Sequence, residues 1–174
     1  FSGYEVSPAQ HAVLHEPEVL SGCFCLARRS AVEQVGGLDE QFFFYGEDID
    51  WCRRFKDAGW KLVFVPQATA THFGGGSTSK APLRYSIEIL RATLKYWRKH
   101  HGLAGKALCH GLLVLHHGLR FLARSGKRAL GLGQAADSRY KLSEDVTCLR
   151  WLLFGAEADE TRAPTAYSSH PDRT

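Results

Sequence analysis

Three carboxylates fall within four residues at Glu47-Asp48-Ile49-Asp50, directly after Tyr45-Gly46. A positioned carboxylate can take the proton of a hydroxyl as that hydroxyl attacks an electrophile, so this cluster could supply a general base. Acids this close repel one another, and a purely structural role has to offset that cost. One such role exists, because the start of a helix favours negative charge through its macrodipole. The preceding loop, Phe42-Phe43-Phe44-Tyr45-Gly46, is aromatic and ends on glycine. Aromatic faces suit the apolar faces of a sugar and carboxylates suit its hydroxyls, while core packing accounts for part of the Phe run.

A second group is His72 followed by Gly74-Gly75-Gly76. Glycine amides can approach phosphate oxygens closely, and the histidine could assist there or serve as a structural hydrogen-bonding residue. His100, His101, His110, His116 and His117 match no zinc spacing with acid or Cys partners and read as solvated or interfacial. The cysteines, Cys23, Cys25, Cys52, Cys109 and Cys148, are odd in number and lack C-x-x-C spacing. They read as buried thiols in a reducing compartment.

The elements that must position these residues follow from periodicity. Residues 21–27 form a short apolar run expected as a buried strand, and 61–65, closed by Pro66, as a second. Ser30 and Glu33 have capping-box spacing, so a short helix is expected from Ser30 to the stop at Gly36-Gly37. Another helix is expected from Glu47-Asp48, with Ile49, Cys52 and Phe55 on its apolar side and Gly59 ending it. Leu83, Ile87, Leu90, Leu94 and Trp97 mark one face of a helix after Pro82. A further helical run covers 103–124, and residues 155–174 read as a polar tail.

Ser21-Gly22, Arg28-Arg29, Gly36 through Phe43, Tyr45 through Asp50, Cys52-Arg53-Arg54, Ala58-Gly59-Trp60 and Val65-Pro66 stand in an order and spacing that resembles the second half of the catalytic domain of family 2 glycosyltransferases, in the rhamnosyltransferase-like branch. Tyr96 through Gly102 resembles the segment that follows that domain. The resemblance implies an α/β chain: the C-terminal portion of a GT-A fold over 1–80, basic amphipathic helices over 81–130, and a partly disordered extension over 131–174. It implies inverting transfer from a nucleotide-diphosphate sugar to a glycan or lipid-linked acceptor. Asp48 would be the general base with Glu47 beside it, and Gly37, Asp39, Tyr45, Gly46 and Asp50 would line the acceptor. His72 would touch the metal or diphosphate, with Gly74, Gly75 and Gly76 at the donor. The cation would be Mg²⁺ or Mn²⁺, held mostly by an N-terminal half carrying an Asp-x-Asp motif.

Charge is unevenly distributed. Residues 80–130 carry eleven Lys and Arg against one acid, Glu88. With no nucleic-acid motif and an apolar helical stripe between the bases, this region reads as an element for an anionic membrane surface, with an ordinary helix packed on the catalytic domain as the alternative over 82–99. The expected location is cytoplasmic, peripheral at the inner face of the cell membrane, with no nucleic acid bound beyond the donor nucleotide. Met is absent and the chain begins Phe1-Ser2-Gly3, which reads as a fragment expected not to transfer sugar alone. A non-catalytic remnant, or an acceptor- or membrane-binding module, is the competing reading. A metal-dependent hydrolase using the acids of 47–50 would need further ligands in matching context.

Overall fold

The computed structural model describes residues 12–71, 81–131 and 135–155, the side chains of 135–138 excepted. Four helices occur among them: α1 (Arg29–Val35), α2 (Glu47–Asp57), α3 (Pro82–Ala129) and α4 (Ala135–Phe154). The chain divides into two compact units after Lys80.

In the first unit α1 and α2 enclose a small core of Ala31, Cys52, Phe55 and Leu62, with Leu20, Ala27, Val32, Val35, Trp51 and Trp60 packed around it. Two indoles tie loops to this core. Trp51 Nε1 donates to the Gly36 carbonyl at 2.9 Å, and Trp60 Nε1 donates to Gln34 Oε1 at 2.9 Å. Helix α1 starts at Arg29 rather than Ser30, and no side chain caps it. Glu33 pairs instead with Arg29 one turn back at 2.8 Å, so the acid of the supposed capping box serves an i,i+4 ion pair. Gly36 ends the helix at φ 85°, a conformation that favours glycine.

Neither expected strand forms among the described residues. Residues 61–65 make one antiparallel bridge, His15 to Phe64, with Phe64 N donating to His15 O at 2.8 Å. Residues 22–24 turn, and 25–28 run without a ladder. A strand exists only where a neighbour takes up its amides and carbonyls. The apolar runs that suggested strands, the first of them buried, are largely exposed instead, at Phe24, Leu26, Val63 and Val65.

The turn also reverses the expectation for two thiols, since Cys23 and Cys25 are exposed. Cys25 Sγ lies 3.0 Å from the Ser21 carbonyl inside the turn. Cys52, Cys109 and Cys148 are buried, and all five thiols are free. Burial pushes the Cys148 thiol up to about 11, helped by Glu144 and Asp145. Because thiolates react and buried thiols do not, a maleimide should modify Cys23 and Cys25 in the native protein. The other three should label only after unfolding, which peptide mass mapping would read directly.

The second unit is a three-helix assembly. Gly102, at φ 67° and ψ −167°, breaks α3 into two arms, 82–101 and 103–129. The joint is tight: a side chain at Gly105 would come within 2.3 Å of His101 Cβ and 3.5 Å of the Trp97 ring. Leu90 and Leu94 from the first arm, Cys109 from the second, and Cys148 and Leu152 from α4 form its core. The first arm runs parallel to α4, as the Ser86–Glu144 bond and the Arg91 guanidinium over Trp151 show. The second runs antiparallel, with His110 on the Leu152 carbonyl, His117 on Asp145 and Arg124 on the Lys141 carbonyl.

Asp145 has no exposed surface and meets three bases of the second arm. His117 Nδ1 is at 3.1 Å, Arg120 Nε at 3.2 Å, and Arg124 Nη1 also reaches the carboxylate. His117 is therefore a buried partner rather than a solvated histidine. Two arginines of the basic stretch turn inward to neutralise α4.

Candidate active site

Helix α2 begins after an abrupt backbone change. Tyr45 has φ 66° and Gly46 has φ 85°, two successive left-handed residues, the first of them a bulky side chain. Such conformations cost roughly 1–3 kcal/mol at a non-glycine and concentrate at functional sites. The ring of Tyr45 stands edge-on to Phe44 at 4.5 Å. Phe42 is buried and Phe43 exposed, so the aromatic loop divides between core and surface. Asp39 opens this loop, its Oδ1 accepting from Gln41 N at 3.0 Å and its carbonyl from Phe42 N at 3.0 Å.

Glu47, Asp48 and Asp50 occupy the first turn of α2, where the helix dipole favours negative charge. Their surroundings differ. Asp48 is half-buried, and backbone amides aim its carboxylate. Oδ2 accepts from Gly22 N at 3.1 Å and Oδ1 from Ile49 N at 2.8 Å. Gly22 lies so close that a Cβ there would stand 3.4 Å from Asp48 Cβ. One turn on, Cys52 receives the Leu20 amide at 3.3 Å, so residues 20–22 run along α2 on two rungs. Gly22 thus has a local function that its sequence did not disclose.

Asp50 points the other way. It is fully buried, and Arg54 Nε donates to its Oδ2 at 2.8 Å. The same guanidinium donates to the Val35 carbonyl at 2.9 Å and the Gly37 carbonyl at 2.7 Å. Asp50 and Arg54 together fasten the end of α1 to α2. The expectation that Asp50 lines an acceptor does not fit this position, because its carboxylate has no solvent-facing surface. Gly37 takes part through its carbonyl, and a Cβ added there would meet nothing within 4 Å.

The structure therefore places Tyr45, Gly46, Glu47 and Asp48 at one helix start, and ties Gly37 to the same helix through Arg54. His72, Gly74, Gly75 and Gly76 lie outside the described residues. Glu47 Oε2 is buried without a hydrogen-bond partner, a hard oxygen of the kind a divalent cation takes. One such atom does not make a site. Among the described residues no three His, Cys, Asp or Glu groups stand together as metal ligands.

Residues 4–130 match the family described as glycosyl transferase family group 2. The chain belongs to this family. Within it, the chain is similar to the N-acetylglucosaminyl-diphospho-decaprenol L-rhamnosyltransferase of Mycobacterium tuberculosis, 35% identical over 123 residues. That alignment covers 65% of this chain and 39% of the mycobacterial protein. It is also similar to rhamnosyltransferase WbbL of Escherichia coli K12, 43% identical over 53 residues, 30% of this chain and 20% of the relative. The chain thus spans about two fifths of the length of its mycobacterial relative and less of the other. No solved structure matches. The rhamnosyltransferase-like character expected from Ser21-Gly22 through Val65-Pro66 is in keeping with both relatives.

Proposed function

We propose that this chain is the acceptor-side portion of an inverting GT-A glycosyltransferase with an α/β catalytic domain, and that Asp48 is its general base. The observation that carries this reading is the Asp48 carboxylate: partly open to solvent, at a helix start, and oriented by the amides of Gly22 and Ile49. A sugar hydroxyl is a weak nucleophile until its proton has a place to go. In the proposed step the acceptor oxygen bonds to the anomeric carbon of a nucleotide-diphosphate sugar, the bond from that carbon to the diphosphate breaks, and Asp48 takes the hydroxyl proton. Glu47, Tyr45, Gly46, Gly37 and Asp39 shape the acceptor side, and Asp50 acts as a positioning residue through Arg54. His72 and Gly74-Gly75-Gly76 would meet the diphosphate. A divalent cation, which would supply charge stabilisation of that leaving group, would be held chiefly by residues other than those described.

The names of the relatives support a rhamnosyl donor and a lipid-linked acceptor. Such an acceptor places the reaction at a membrane, and the excess of Lys and Arg over 80–130 supports an anionic surface, the inner face of the cell membrane. No described helix is long and apolar enough to cross one. The test is transfer by the intact protein. Given a nucleotide-diphosphate rhamnose, a polyprenyl-diphosphate N-acetylglucosamine and Mg²⁺ or Mn²⁺, it should yield an acceptor heavier by one deoxyhexose. Absence of product across a panel of nucleotide-diphosphate sugars and lipid-linked acceptors would overturn the reading.

A further inference from the structure

The second arm of α3 is apolar on its outer side. Leu108, Leu112, Leu115, Leu119 and Leu122 recur at alternating four- and three-residue steps, one face of a helix. Each is more than half exposed, from 56% to 65%. The stripe rises about 21 Å along the helix. Its polar groups lie on the other side: Cys109 and His117 are buried there, and Arg120 and Arg124 reach Asp145. No Lys, Arg, Asp or Glu occurs from 107 to 119. Over these turns the helix is apolar on its packed side, where Leu113 and Val114 meet the core, and apolar again on its outer side, where a surface helix usually carries charge. An exposed apolar run of this length marks a surface that meets something apolar.

We propose that this leucine stripe is the face by which the protein inserts into an anionic lipid surface, a proposal that rests on the membrane reading above and names its contact. Charge selects lipid over a second copy of the chain. The second unit, Ala81–Thr174, holds fifteen Lys and Arg against eight acids. Bases stand at both ends of the stripe in the chain, Arg98, Lys99 and Lys106 before it and Lys127 and Arg128 after it. An apolar face with cationic ends suits acyl chains flanked by anionic headgroups. A helix seam between two copies would instead call for opposed charges beside the leucines. The flanking residues here are Gly111, His116, Gly118, Ala123 and Ser125.

The test uses the intact protein and vesicles of phosphatidylglycerol mixed with phosphatidylcholine. Leu112→Ser with Leu119→Ser alters exposed residues, so the fold should survive, as circular dichroism would verify. Flotation should show vesicle affinity reduced by at least about tenfold, with the remaining binding removed by high salt. If the double variant binds as wild type and salt alone releases both, charge carries the membrane reading and the stripe proposal falls. If wild type binds no vesicle at low salt, both fall together. If the double variant turns a dimer into a monomer with vesicle binding unchanged, the stripe is a seam between copies and the proposal is overturned.

Discussion

Asp48→Asn in the intact protein is expected to lower sugar transfer by about 10²–10⁴-fold, the range for removing a general base, with the affinity for the nucleotide sugar unchanged. Asparagine keeps the size of the side chain and loses proton acceptance. It also alters the local bonding, because both carboxylate oxygens accept from backbone amides. An amide nitrogen cannot accept from either, so one hydrogen bond is lost at a cost of about 1 kcal/mol. Measuring the melting temperature alongside turnover separates the two effects. A small change in stability with a large fall in turnover supports the assignment. Transfer within a few-fold of wild type would remove Asp48 from the chemistry.

Arg54→Met should be the most destabilising single change in the first unit, by about 3–5 kcal/mol, because it leaves a buried carboxylate without its cation. Three bonds disappear at once, to Asp50 Oδ2 and to the Val35 and Gly37 carbonyls. Methionine retains much of the aliphatic length, so lost packing contributes little. Urea unfolding would register the loss as a lower midpoint. Adding Asp50→Leu should restore part of it, since an apolar pair removes the stranded charge. A single variant within about 1 kcal/mol of wild type would show that the Asp50–Arg54 pair does not hold α1 and α2 together.

Some of this was legible in the sequence, and the reasons differ by residue. Leu90 and Leu94 were found because helical periodicity is local, and Gly36 and Gly59 because a terminating glycine has a conformation of its own. The acids at 47–50 were found as a cluster, but their division was not. Nothing in four adjacent residues says that Asp48 faces residues 20–22 while Asp50 faces Arg54. The strands failed because an apolar run at 21–27 or 61–65 reports only residue type, whereas a strand needs a neighbour to take up its backbone groups. The Asp145 cluster joins residues 21 to 28 positions apart, so it shows only once α4 lies against α3. A sign was present in retrospect: His117, Arg120 and Arg124 share one helical face, and acids follow at Glu144-Asp145. The charge of 80–130 is not all at the surface, because Arg120 and Arg124 turn inward to Asp145.

The joint at Gly102 bears on how the second unit could go wrong. Its combination of φ and ψ is open essentially only to glycine. With any other residue there, the stretch from Pro82 to Ala129 would tend toward one continuous rod about 70 Å long. Leu90 and Leu94 would then lose Cys109 of their own chain and could recover it only from a neighbouring molecule. The hairpin and the exchanged pair would bury the same side chains, so contacts alone hardly distinguish them. A missing β-carbon at one position decides between a self-contained monomer and a swapped assembly.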